Sequence, residues 1–155
     1  MLEVRLHDVY TPGGSDLLSE WVLSVMRGGE PEPTDTIHHW VYHRDVENAI
    51  ALLESKDVEG AFDLCGRRAW TQTMVVSEIE TLWRRYQHAL NHTHSIDSLS
   101  EVPSPAAVTY TGERRRPDLG PLHDALIACG SDGWRPMTAM RTGIMECIAR
   151  SIEQV

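Results

Sequence analysis

Two periodicities alternate along this chain, and their alternation limits the folds open to it. Leu2, Val4 and Leu6 share one side of a run whose other side carries Glu3, Arg5 and His7, the period-2 pattern of a strand. The turn Thr11-Pro-Gly-Gly-Ser15 stops that run. Leu17, Leu18, Trp21, Val22, Val25 and Met26 then recur at helical spacing, with Ser15 or Asp16 placed to cap them. Gly28-Gly29 ends the helix, and Glu30-Pro-Glu-Pro33 continues as an extended linker.

The same alternation repeats downstream. Trp40-Val-Tyr42 reads as a short strand, followed by a helix that Asp45 caps and that buries Val46, Ala49, Ile50 and Leu53. Ala61 to Cys65 is a further strand closed by Gly66, and a long helix runs from about Thr73 to Leu90. Its inward side is Val75, Val76, Ile79, Leu82, Trp83, Tyr86 and Leu90. A polar loop from Asn91 to Pro105 precedes a short strand at Ala107–Tyr110. Leu122 to Cys129 forms a brief helix, and a last helix from Thr138 aligns Ile144, Ile148 and Ile152 on one stripe. Short strands separated by helices predict an α/β or α+β domain. With 155 residues, one such domain buries about two-thirds of its unfolded surface.

Charge narrows the partners. A net charge of −9 repels nucleic acid over most of the surface. Arg114, Arg115 and Arg116 form a local basic spot in that acidic whole, suited to a small anion. No apolar run approaches the about 18 residues a membrane-spanning helix needs, and MLEVRLHDVY has neither the basic nor the apolar part of a signal peptide, so a cytoplasmic location with no membrane partner is expected. Cys65, Cys129 and Cys147 lie far apart with no Cys-x-x-Cys spacing, which fits free thiols in a reducing compartment.

Several chemistries lack their residues. There is no Gly-x-Gly-x-x-Gly after a strand, no P-loop and no Gly-x-Ser-x-Gly elbow. His88, His92 and His94 have helical spacing for a metal, but no acidic or thiol ligand accompanies them, and a helix C-terminus favours histidine for its dipole alone. His38, His39 and His43 flank a short strand and read as hydrogen-bonded or solvated histidines.

Four ordered stretches are similar to the extended short-chain dehydrogenases, the family of nucleotide-sugar epimerases and dehydratases. Arg5-Leu-His-Asp-Val-Tyr-Thr-Pro-Gly13 resembles R-x-x-N-V-Y-G-P-G, and the stretch His38–Ile50 resembles R-D-F-V-H-V-D-D-V-A-x-A-I. Gly60-Ala-Phe-Asp-Leu-Cys-Gly66, with Thr71 following, is similar to G-x-Y-N-V-G-x-G-x-x-x-[ST]. Arg114 to Asp124, then Gly133-Trp-Arg-Pro136, Met140, Gly143 and Ile144, resemble R-x-G-D…D…G-W-x-P-x-x-x-L-x-x-G-I, with Asp124 ten residues before Trp134. Gly143 is expected where the last helix crosses a neighbour closely.

The resemblance implies the C-terminal, substrate-binding lobe of that fold, with residues 1–12 the strand and turn leaving the dinucleotide-binding sheet and 13–155 the lobe itself. The Rossmann half, with NAD or NADP and the Tyr-x-x-x-Lys pair, is not expected in this chain. Lys56 is the sole lysine, and Leu52 stands four residues before it. The matching substrate contacts are Asp8 in place of asparagine, Tyr10, His38 in place of a phosphate-contacting arginine, Trp70, Arg114 or Arg115, and Asp118. The expected ligand is nucleotide-sugar-like. The expected partners are a Rossmann-half chain, as for a truncated or split enzyme, or a second copy, since the first strand alone would leave an exposed edge. The alternative is a stand-alone, non-catalytic ligand-binding or scaffolding domain.

Overall fold

The computed structural model describes residues 1–97 and 116–155. In chain order the elements are β1 (Leu2–Leu6), β2 (Val9–Tyr10), α1 (Leu17–Met26), β3 (Val41–Tyr42), α2 (His43–Ser55), β4 (Gly60–Leu64), α3 (Gln72–Asn91), α4 (Gly120–Ala128) and α5 (Met140–Ser151), closed by a 3₁₀ turn at Ile152–Gln154. The expected strand at Ala107–Tyr110, and Arg114 and Arg115, lie outside the described residues.

The strand that opens the chain has a partner within it on one side. β1 pairs in parallel with β4, with Val4 beside Phe62 and Leu6 beside Leu64. The register puts apolar side chains on one face, and Arg5 with Asp63 on the other. There the Arg5 Nε and Nη2 donate to the two carboxylate oxygens of Asp63 at 2.9 and 3.2 Å, and His7 Nε2 meets Oδ1 at 3.0 Å. A second parallel pair joins Val9 to Val41 and Tyr10 to Tyr42. Parallel strands need a crossover, and the helices between them supply it.

Packing divides into two cores. Leu18, Trp21, Val22 and Val25 of α1 meet Val75, Ile79 and Leu82 of α3 and Ile144, Cys147 and Ile148 of α5, all buried. The second core lies under the β1–β4 pair, where Val46, Ala49 and Leu53 of α2 meet Leu122 and Leu126 of α4, Leu64 and the Trp134 indole. Burial on α3 stops short of Leu90, expected inward but 52% exposed. Asp16 starts α1 as expected, accepting from Ser19 N at 2.9 Å and from Thr11 N at 3.0 Å.

Asp45, expected to cap α2, does not do so: Tyr42 holds that position. The Asp45 carboxylate instead accepts from Thr138 N at 3.0 Å and ties the start of α2 to the segment entering α5. Gly143 does sit at a close crossing. A Cβ there would overlap the Tyr10 ring and hydroxyl, so only glycine lets α5 lie on β2.

Candidate functional site

The seam between the two cores opens as a cleft of about 410 Å³, within the size range of small-molecule pockets. Its apolar wall is Tyr10, Trp40, Tyr42, Trp70 and Met140, and its rim carries Arg67, Arg68 and Arg135. β2 and β3 present the tyrosines side by side, with ring centroids 5.6 Å apart. The Tyr42 hydroxyl donates to the Glu146 carboxylate on α5. Burial, with that carboxylate, pushes Tyr42 up to about 12, and burial raises Tyr10 further. Both phenols are therefore neutral near physiological pH. The Arg68 guanidinium lies 4.3 Å from the centre of the Trp70 ring, a cation–π contact.

Trp40 is the unusual wall residue. It is 7% exposed, and its Nε1 has no hydrogen-bond partner among the described residues. A buried indole N–H without an acceptor costs about 1–3 kcal/mol.

Of the residues singled out in the sequence, Tyr10 and Trp70 line this cleft. His38 does not. It lines a separate groove with Trp21, Glu20, Glu30 and Glu32, stacked on Trp40 at 4.6 Å between centroids. Its Nδ1 sits 2.8 Å from Asp8 Oδ1, and Asp8 Oδ2 accepts from His39 N at 2.7 Å. Burial pushes the Asp8 carboxyl up, but the bonds from His38 and His39 outweigh it and hold it below its ordinary value. Asp8 also takes a left-handed φ of 55°, rare for a residue with a side chain. Asp118, ahead of the Leu119 N-cap of α4, accepts from Gly120 N at 2.9 Å.

Arg67, Arg68 and Arg135 were not singled out as site residues in the sequence. Each is one arginine in a loop, and only the Gly133–Pro136 turn folding onto the loop after β4 brings them together. The turn is locked by His123, whose Nδ1 accepts from Trp134 N at 2.9 Å and lies 3.1 Å from Arg67 Nη2. Arg67 Nε donates to Trp134 O at 2.7 Å, and the indole Nε1 donates to Cys65 O at 2.8 Å. Gly133 takes φ of 91°, and a Cβ there would strike the His123 ring.

The histidines near the end of α3 have local roles. His92 ends the helix in the left-handed conformation, and His88 Nδ1 lies 2.9 Å from Thr93 Oγ1. Among the described residues no group of three His, Cys, Asp or Glu is placed to hold a metal ion. Likewise, no helix is long and apolar enough to cross a membrane.

The Thr11–Ser15 turn into α1 is not a dinucleotide cradle: the Asp16 carboxylate already occupies the Thr11 and Ser19 amides.

No family model matches the sequence, and no curated protein is detectably similar to it. Solved structures do match. The Bordetella bronchiseptica enzyme WbmF in complex with NADH superposes with a TM-score of 0.65 at 12% identity, covering 99% of this chain and 46% of WbmF. UDP-glucose 4-epimerase of Thermus thermophilus in complex with NAD gives 0.63 at 20% identity, over 99% and 47%. WbmF in complex with NAD+ and UDP gives 0.58 at 12%, over 99% and 46%. At these identities the likeness is one of fold, and the chain spans about half the length of the structures it matches. The chain thus has an α/β fold like that of about half of WbmF and of UDP-glucose 4-epimerase.

Proposed function

We propose that this chain is the substrate-binding portion of an NAD(P)-dependent nucleotide-sugar epimerase/dehydratase-like protein. The cofactor, and the tyrosine and lysine that act on the substrate, belong to a complementary Rossmann half. Bound there, NAD or NADP would accept and return a hydride. This chain's residues bind and orient the substrate and keep water from it. The single observation that carries the reading is the aromatic cleft rimmed by Arg67, Arg68 and Arg135 in a chain of net charge −9. Aromatic faces suit a base or a sugar, and guanidinium forks suit phosphate oxygens. Fold likeness to structures holding NAD and UDP supports the ligand class.

Calorimetry on the purified chain tests it. UDP- or dTDP-sugars should bind at a single site, NADH alone should not, and Arg68→Gln should weaken the sugar nucleotide about tenfold by removing one charge-assisted contact. No binding of any nucleotide sugar, with or without a Rossmann-half protein, would sink the reading.

A further inference from the structure

The connector from α4 to α5 forms one wall of the aromatic cleft, through Arg135, Pro136, Thr138 and Ala139. Its other face is hollow. Behind it lies a pocket of about 150 Å³ lined by Asp45, Leu52, Leu126, Arg135 and Met137. Met137 is 84% exposed, so it packs little against the body of the chain. A wall with space on both faces lacks the contacts that hold a core segment in place. Hydrogen bonds take over that role. At the α4 end Trp134 is anchored through His123 and Cys65 O. Across residues 135–139, the only N–H with a partner among the described residues is that of Thr138. Its partner is Asp45 Oδ2, at 3.0 Å.

Asp45 is a costly residue to place there. It is 7% exposed, and a buried carboxylate persists only where something offsets its lost hydration. Here the offset is local. Asp45 lies in the first turn of α2, where the helix dipole favours negative charge, and the Thr138 amide donates to it. Its charge also reaches the cleft: burial is the main cause that raises the Tyr10 hydroxyl, and Asp45 adds to it. Asp45 itself does not line the cleft. We propose that Asp45 is a positioning residue of the aromatic cleft, holding the wall at 136–139 opposite Tyr10 and Tyr42 through the Thr138 amide. Without that latch the wall is free to move into the hollow behind it, and each binding event has to order it again. The effect on ligand rests on the nucleotide-sugar reading; the latch itself does not.

Nuclear magnetic resonance on the whole chain tests the latch. The wild type should show a coupling across the hydrogen bond from the Thr138 N–H to the Asp45 carboxyl carbon, and slow exchange of that amide. Asp45→Ala should speed the exchange about tenfold, while Asp45→Asn, whose side-chain oxygen still accepts, should keep it slow. Calorimetry with UDP-glucose, run well below the melting temperature, tests positioning. Asp45→Ala should bind about tenfold more weakly and Asp45→Asn close to wild type. A purely structural role would lower the melt and leave both affinities in place. No coupling in the wild type, equal protection of Thr138 in a folded Asp45→Ala chain, or weakened binding in Asp45→Asn overturns the proposal, as does unchanged binding in Asp45→Ala. The first and third of these are read without Asp45→Ala and decide the matter even where that variant does not fold. If the wild type binds no UDP-glucose, the substrate reading falls and the Met140 methyl resonance decides instead. Displaced in Asp45→Ala and restored in Asp45→Asn, it keeps Asp45 as the support of the wall; unmoved, it overturns that too.

Discussion

His38 Nδ1 lies 2.8 Å from Asp8 Oδ1, and these are two of the positions where the chain departs from the motifs it resembles. Where those motifs have asparagine and arginine this chain has aspartate and histidine, and the two side chains contact each other. The pair joins the β1–β2 turn to the segment entering β3, while the same carboxylate takes the His39 amide. His38 is thus engaged as a clip, which leaves the proposed anion contacts to the arginines of the loops.

Asp8→Asn should therefore cost about 1 kcal/mol at neutral pH, the worth of a charge-assisted bond, despite asparagine's better fit to the left-handed backbone. The Asp8 carboxyl is held below its ordinary value. Its contribution is therefore present above the ordinary carboxylate range and lost as pH falls through the folded value. Urea unfolding at a series of pH values should show the gap between wild type and Asp8→Asn closing toward acid. A gap independent of pH would contradict the pairing.

Asp63 gives the same sign at the surface. The bonds from Arg5 and His7 lower its carboxyl to about 2. Carboxyl carbon shifts followed by NMR should titrate near that value, and Arg5→Gln should move the midpoint up toward 3.8, the unperturbed value. An unmoved midpoint would mean that the Arg5 fork is not populated in solution.

Gly143→Ala separates packing from propensity. Alanine should gain about 1 kcal/mol within a helix, yet its Cβ would overlap Tyr10, and overpacking costs about 1–3 kcal/mol. The melting temperature should fall, and a second change, Tyr10→Leu, should recover part of the loss. A Gly143→Ala protein that melts higher than wild type would refute the close crossing.

Thiol chemistry should be selective. Burial pushes Cys65 up to about 11 and Cys147 up to about 12, so neither offers thiolate at pH 8. Cys129 is partly exposed and should be the one thiol that reacts rapidly with a disulfide reagent in the folded chain. Fast labelling that persists in Cys129→Ser would show that a buried site opens.

What could be read from the residues alone was whatever depends on local period. The stripes of α1, α3 and α5 and the turn at Thr11–Ser15 lie in near-neighbour spacing, while the Gly143 crossing onto Tyr10 was legible through the motif the chain resembles. Asp45 was misplaced because an acidic residue in the first turn has the same signature whether it caps its own helix or reaches Thr138 on another segment. The pairing of β1 with β4 was hidden for a related reason. Strand partners are chosen by the register of two faces far apart in sequence, and no single stretch encodes that. The arginine rim of the aromatic cleft was least legible of all, since Arg67 and Arg135 converge only through a turn locked by His123 and Gly133.

The open side of β1 leads to the last expectation. Met1 O accepts from Gly60 N at 3.2 Å and His7 N donates to Leu64 O at 2.9 Å. A parallel ladder bonds alternate residues, so Glu3 and Arg5 also face β4. Leu2, Val4 and Leu6 therefore turn their N–H and C=O groups to the other edge, where no strand lies among the described residues. Leu6 is also 50% exposed. An edge of this kind is a template for another strand. The purified chain should self-associate at high concentration in light scattering. Leu6→Lys should shift it toward monomer, because a charge at an edge opposes strand pairing. A complementary Rossmann-half protein should compete with self-association for the same edge. A wild-type chain that stays monomeric at every concentration would remove the edge as a docking element and leave the ligand cleft untouched.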